Sequence, residues 1–185
     1  ETELEAAQRK VAELEAELGP DHLDVAEALG AVMSIHYGQA QYDRAVEVCR
    51  RVLAIEENVL GPEHMEVADS LNILGIFLKA QGSYAEVRPL WERSIAIREK
   101  ILGPEDLMVA QSLNNLANLL ENQGAYADAR PLYERSLAIV KKNLDPEHPI
   151  LAISLNNLAA LLRTQGSYAE ARPLLERALA IREKA

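Results

Sequence analysis

One cysteine, Cys49, is all the thiol chemistry this chain carries. That excludes an intramolecular disulfide and fits a reducing compartment, so the expected setting is cytoplasmic. One cysteine and four histidines in scattered places make no zinc constellation. Aromatic residues are only 4% of the sequence, which leaves aliphatic side chains and alanine to build the core. No apolar run approaches the roughly 18–20 residues that cross a bilayer, so no membrane partner is expected. The opening Glu1-Thr2-Glu3 is acidic and lacks the apolar stretch of a signal peptide. Bases are outnumbered, 19 against 29 acids, for a net charge of −10. Phosphate binding needs a basic surface, so nucleic acid is not an expected partner. No Gly-rich phosphate loop, Ser-His-Asp order or paired-carboxylate arrangement stands out. The chain reads as non-catalytic, with no cofactor and no metal.

What the chain does have is repetition. Leu18, Leu60, Leu102 and Leu144 each open a unit of 42 residues, with Pro20, Pro62, Pro104 and Pro146 two places later. Residues 60–101 match residues 144–185 at 26 of 42 positions without a gap. The expected organisation is an N-terminal helix at 1–17 and four units at 18–59, 60–101, 102–143 and 144–185. The leading segment stands either as the second helix of an earlier unit or as a charged cap. The last unit ends at Ala185 with no polar capping helix, as expected of a cut array.

Each unit reads as two helices. In the stretch Ser112-Leu113-Asn114-Asn115-Leu116-Ala117, repeated at 154–159 and in altered form at 70–75, helical spacing puts Leu113, Leu116, Ala117 and Leu120 on one face. Asn114, Asn118, Glu121 and Asn122 lie a quarter-turn or more away. Helix A is predicted over about 64–81 or 149–165, ended by Gly82, Gly124 or Gly166. Helix B starts at once, and Ser83 to Glu86 and Ser167 to Glu170 fit a Ser-x-x-Glu capping box. Pro89, Pro131 and Pro173 lie inside helix B, where each removes a backbone bond and predicts a tolerated bend. In residues 1–17, Leu4, Ala7, Val11, Leu14 and Leu18 form a helical apolar stripe. His22, His64 and His148, with Asp106 in the same place, suit turn capping better than metal binding. Stacked units would hold them about 20 Å apart. Cys49 shares its slot with Trp91, Tyr133 and Leu175, which marks all four as core.

These spacings resemble the tetratricopeptide repeat, and the 42-residue form with Leu-Gly-Pro-Glu-His and Leu-Asn-Asn-Leu-Ala resembles the kinesin-light-chain type. The resemblance implies an all-α fold, a right-handed α-solenoid of antiparallel helix pairs. It places Leu116, Ala117, Gly124, Tyr126, Ala129, Tyr133 and Ser136 at packing positions. It also implies a concave groove, lined by helix A, that binds a protein or peptide segment. Carried over by position, the groove residues are Asn72, Ile76 and Lys79 in the second unit. In the third they are Gln111, Asn114, Asn118, Glu121 and Asn122, and in the fourth Asn156 and Arg163. The first unit departs from the pattern, with Ala40 for the glycine, Met33 for the small residue and Gly30-Ala31 for the two asparagines.

An asparagine side chain carries both a donor group and an acceptor, so it can pair with a peptide unit. A ladder of them would hold an extended chain, with Lys79, Arg163, Glu121 and Ile76 supplying specificity. Against this stands a polar helix face that makes contacts between repeats or to water. Two other functions fit the repeat: a sensor or linker segment of a larger NTPase- or protease-linked signalling protein, and head-to-tail self-association through Leu174, Leu175, Ala178 and Ile181 of the last helix.

Overall fold

Thr2 opens the first helix with a reciprocal cap: its Oγ1 accepts from Glu5 N at 3.2 Å, and its own N–H donates to Glu5 Oε2 at 2.8 Å. From there the computed structural model describes residues 1–184 and, among them, contains helices and no strands. They are α1 (Glu3–Leu18), α2 (Leu23–Gly38), α3 (Tyr42–Leu60), α4 (Met65–Gln81), α5 (Tyr84–Leu102), α6 (Leu107–Asn122), α7 (Tyr126–Asn143), α8 (Pro149–Thr164) and α9 (Tyr168–Arg182). Ala185, on which the fourth repeat was expected to close, lies outside the described residues. The chain forms two compact units, Glu1–Ile97 and Arg98 onward, with the boundary inside α5.

The turns explain where the helices stop and start. The even-numbered helices, helix A of each pair, share one C-terminal geometry. Ser83, Ala125 and Ser167 N–H groups donate to the carbonyls of Leu78, Leu120 and Leu162, five residues back, and Gln41 donates likewise to His36. The residue inside that loop takes positive φ: Gly82 at 92°, Gly124 at 76°, Gly166 at 78°, and Ala40 at 57° in the first pair. The histidines cap the same helices at the other end. Nδ1 of His22, His64 and His148 accepts from the N–H two residues on at 3.2, 3.4 and 3.2 Å, and Asp106 Oδ1 does so at 2.7 Å. Each imidazole therefore carries its proton on Nε2 while it caps.

The capping boxes expected at helix B do not form. Ser167 has ψ 55° rather than an extended value, and its side chain makes no cap bond. The reason is the loop before it, which pins the Ser167 N–H back onto Leu162. The Ser167 carbonyl, not its hydroxyl, then receives the N–H groups of Glu170 and Ala171. Ser83 Oγ donates to Gln81 Oε1 instead of capping. The glutamates of the two boxes serve elsewhere: Glu86 pairs with Arg50 and Glu170 with Arg130, both at 2.7 Å. α5, α7 and α9 run on through Pro89, Pro131 and Pro173. The carbonyls that lose their donors belong to Ala85, Ala127 and Ala169, exposed residues whose oxygens water can serve.

In the first unit, α1 packs on α2, α2 on α3 and α3 on α4. One cluster buries Val11, Val25, Leu29, Val32, Val52 and Ile55, with Leu4, Ala7 and Leu14 against it. Leu18, predicted on the same stripe, is 39% exposed because it ends the helix. A second cluster joins Val67, Ala68, Leu71 and Ile97. In the second unit, α6 packs on α7, α7 on α8 and α8 on α9, and α6 also meets α8. Its core includes Leu113, Leu116, Ala117 and Leu120 from α6 and Leu155, Leu158 and Ala159 from α8. Helix B serines tie the pairs together: Ser94 Oγ donates to Ala68 O at 2.6 Å and Ser136 Oγ to Ala110 O at 2.7 Å.

One further device recurs every 42 residues. Arg51, Arg93, Arg135 and Arg177 donate to the carbonyls of Pro20, Pro62, Pro104 and Pro146 at 3.2, 2.9, 3.1 and 2.8 Å. Each also pairs with a carboxylate: Glu15, Glu57, Glu99 and Glu147 in turn. The fourth partner is Glu147 because Lys141 stands at the place of Glu99. These arginines are about 40% exposed, so each pair stabilises modestly, and their value lies in fixing the turn between helix pairs.

Candidate functional site

The expected groove residues all lie on α4, α6 and α8, and the structure brings some of them together within each unit. In the second unit Asn114, Asn118, Glu121 and Asn156 are half-buried, whereas Gln111, Asn122 and Arg163 are exposed. Asn157 Nδ2 donates to Asn114 Oδ1 at 2.9 Å, joining α8 to α6. In the fourth repeat the second asparagine is thus a bridge between neighbouring helices, engaging the carbonyl of the third repeat's first asparagine. Asn114 keeps its amide N–H groups without a partner among the described residues. Asn156 makes no internal side-chain bond there at all.

Three of the expected groove residues, Glu121, Asn118 and Asn122, are partly committed to the fold. Glu121 Oε2 accepts from the Tyr133 hydroxyl at 2.8 Å. Burial, and then that bond, hold the phenol well above its ordinary pKa. Asn122 Nδ2 donates to Asn118 Oδ1 at 3.3 Å.

A cleft of about 400 Å³ opens beside these amides, between α6, α7 and α8. Gln111 and Asn114 stand on it together with Met108, Val140, Ile150 and Ile153. Met108, Ile150 and Ile153 on it are 37%, 46% and 50% exposed.

In the first unit Asn72, Ile76 and Lys79 are half-buried on α4. Asn72 Oδ1 is buried and unbonded among the described residues, while its backbone carbonyl accepts from Trp91 Nε1 at 3.1 Å. The cleft at the matching place holds about 360 Å³ and is acidic, with Asp24, Glu27, Glu56, Glu66 and Asp69 on its walls. Burial raises the Glu56 pKa, the hydrogen bond from Ser70 opposes that, and the charges of Glu66 and Asp69 add to the rise. Tyr37 stacks on Phe77, ring centroids 4.6 Å apart, which holds it against α4.

Cys49 is fully buried with Sγ 3.7 Å from Ser70 O, and burial pushes its thiol up to about 12. Trp91 is buried too, at 2% exposure, and belongs to the core. Among the described residues no group of histidine, cysteine and carboxylates could hold a metal ion. None of their helices is long and apolar enough to cross a membrane. On α9, Ala178 and Ile181 are buried within the unit itself, Leu174 and Leu175 are half-buried, and Leu179 is 57% exposed.

The sequence profile of the tetratricopeptide repeat matches residues 33–100, 66–142 and 108–184, which together cover most of the chain. The chain belongs to the tetratricopeptide repeat family. Among solved structures, the kinesin light chain nearly identical TPR-like repeats of Podosopora anserina are similar at 29% identity and TM-score 0.85, covering 98% of this chain and 86% of that one. The likeness supports a repeat of the kinesin-light-chain type, in an all-α helical repeat fold. RapI in its apo form shares the fold at 19% identity and TM-score 0.83, over 98% of this chain and 48% of that one. BtubC (BKLC) from P. vanneervenii does so at 18% and 0.67, over 98% and 90%. The curated proteins contain no match. Tetratricopeptide repeats generally serve as protein-interaction scaffolds, and no catalytic family accompanies the match.

The repeat pattern missed what makes one inter-helix cleft unlike the next. The signal was present as the one helix B position whose charge changes at every period: Glu56, Arg98, Val140 and Arg182. The arginine clamp was legible in the same way, as an identical residue at 51, 93, 135 and 177.

Proposed function

We propose that this tetratricopeptide repeat chain is a non-catalytic scaffold that holds an extended segment of a partner protein on its helix A faces, through asparagine amides. The observation that carries the reading is a set of half-buried amides left without internal partners. These are Asn156, the N–H groups of Asn114, and Asn72, whose buried Oδ1 is unbonded. A polar group in such a place is stabilised once a donor or acceptor arrives, and a peptide backbone supplies both. Gln111, Asn118 and Asn122 extend the amide surface. Ile76 and Lys79 in the first unit, and Glu121 and Arg163 in the second, add the side chains that select among segments. The buried free thiol agrees with a cytoplasmic setting.

The test is capture from a cell lysate by the wild type and by Asn72→Ala/Asn114→Ala/Asn156→Ala, with helicity checked by circular dichroism. The reading expects the folded triple variant to lose partners that the wild type retains. A folded triple variant that keeps every partner refutes the amide ladder.

A further inference from the structure

The helix B position whose charge changes at every period sets what stands in the space beside helix A: a carboxylate, a guanidinium or an aliphatic side chain. Fourteen residues beyond Glu56, Arg98 and Val140 lie Ser70, Ser112 and Ser154. Arg98 is 4% exposed, and its Nη1 donates to Ser112 Oγ and lies 3.5 Å from Met108 O. Its guanidinium occupies the ground beside α6. Glu56 instead accepts from Ser70, and the cleft of about 360 Å³ beside it stays open with an acidic wall. Val140 has no group that can reach Ser154, whose hydroxyl turns back to Ile150 O at 3.2 Å. The cleft of about 400 Å³ is what remains open there.

We propose that this cleft is a socket for one uncharged aliphatic side chain of the segment bound on α6 and α8, and that Val140 is the residue that sets its specificity. The inference rests on the peptide-binding reading above and names the kind of residue that reading requires. The argument for the occupant is complementarity of charge. In a chain of net charge −10, every side chain lining this cleft is uncharged. A lysine or glutamate entering it would lose hydration and find no counter-ion. An aliphatic side chain would instead cover Met108, Ile150 and Ile153, which are otherwise wet. Gln111 and the unbonded amide N–H groups of Asn114 stand at the same cleft, where they can hold the main chain on either side of the anchor. In the matching cleft of the first unit, Asp24, Glu66 and Asp69 replace Met108, Ile150 and Ile153, so the preference belongs to the second unit alone.

A display library of random heptapeptides, selected on the wild-type chain, tests this directly. The expected selection is a set of heptapeptides with leucine, isoleucine, methionine or valine at one shared position. In Val140→Arg the new guanidinium would reach Ser154 as Arg98 reaches Ser112, and binding of the selected peptides should weaken about tenfold or more, the range for an apolar pocket that loses its occupant. Ile153→Asp provides a second variant, at an exposed position where the first unit already carries Asp69, and should weaken the same peptides with its thermal transition unchanged. Selection without an aliphatic preference, or wild-type affinity in both variants, overturns the socket. If Asn114→Ala loses all the peptides while Val140→Arg and Ile153→Asp keep them, the groove reading stands and the socket fails. If the library yields no binder, the groove and the socket fall together.

Discussion

Gly75 stands where the third and fourth repeats carry Ala117 and Ala159, and it lies in the middle of α4. Alanine there should help by helix propensity, about 1 kcal/mol. The surroundings oppose it. A Cβ on Gly75 would sit 2.1 Å from Trp91 Nε1, 2.7 Å from Cδ1 and 2.8 Å from Cε2. The indole is rigid and 2% exposed, so it cannot swing aside as a flexible side-chain tip would. Relief requires a ring shift on the order of an ångström, which costs about 1–3 kcal/mol in overpacking. The same shift breaks the 3.1 Å bond from Trp91 Nε1 to Asn72 O. Leaving that buried donor unpaired costs about 1–3 kcal/mol more. After the propensity gain, Gly75→Ala should lose about 1–5 kcal/mol, read as a fall in the urea midpoint followed at 222 nm. The rescue is specified by the chain itself. Trp91→Tyr in the Gly75→Ala background recreates the Ala117/Tyr133 pair, and Trp91→Leu recreates Ala159/Leu175. A double-mutant cycle should return a favourable coupling of about 1 kcal/mol or more. Gly75→Ala at wild-type stability, or a cycle that is simply additive, would refute the steric account.

Two further positions, Ala40 and Cys49, carry strain and burial that can each be measured. Ala40 holds φ at 57° in the turn where the other three repeats place glycine, so Ala40→Gly should raise stability by about 0.5–1 kcal/mol in urea unfolding, the left-handed strain of alanine less the added entropy of the unfolded glycine; a destabilised variant would count against that strain. Cys49 should resist iodoacetamide at pH 8–9 in the folded chain and react on unfolding, because burial, with Glu56 adding to it, raises its thiol from 9.0 to about 12. As a group whose folded pKa is raised, it contributes stability that is present below about pH 9 and is lost as pH climbs towards 12; modification of the native chain at the unfolded rate would refute the burial.

The helix pairs were legible in the sequence because their signals are local and recur. Leu113, Leu116 and Ala117 mark a buried face, and glycine or histidine marks each helix end. The capping boxes were misread for a reason the sequence pattern hides. A serine one residue past a positive-φ glycine has its N–H already drawn back into the preceding helix, so Ser167 reaches ψ 55° and its hydroxyl misses the cap. In the box that does form, the Thr2 N–H goes to Glu5 Oε2 rather than back to a carbonyl five residues earlier, and Thr2 holds an extended ψ of 159°. The double asparagine was harder still. Its two members differ by one helical step, and only the approach of α8 to α6 reveals that Asn157 spends its amide on Asn114 while Asn156 has no such bond. Helical spacing separates two faces but cannot say which neighbour each one meets.

Four copies of one unit also act as an internal comparison, and they separate scaffold from selectivity. Arg51, Arg93, Arg135 and Arg177 are identical and perform one task, the bond to the proline carbonyl of a turn. The core pairs vary, yet in compensation: Met33 with Cys49, Gly75 with Trp91, Ala117 with Tyr133, Ala159 with Leu175, a small residue in each pair with a larger one. Such variation preserves packing and carries no message to a partner. Variation of the third kind is uncompensated. Glu56, Arg98 and Val140 differ in charge, and so do Asp24 and Met108, Glu66 and Ile150, Asp69 and Ile153. No packing requirement links a carboxylate to an isoleucine at one register, whereas a surface that must distinguish one bound segment from another needs such a contrast. Under the proposed peptide-binding function, partner choice would reside in these uncompensated positions beside helix A, and the amides that repeat alongside them would serve whatever backbone the chosen segment brings.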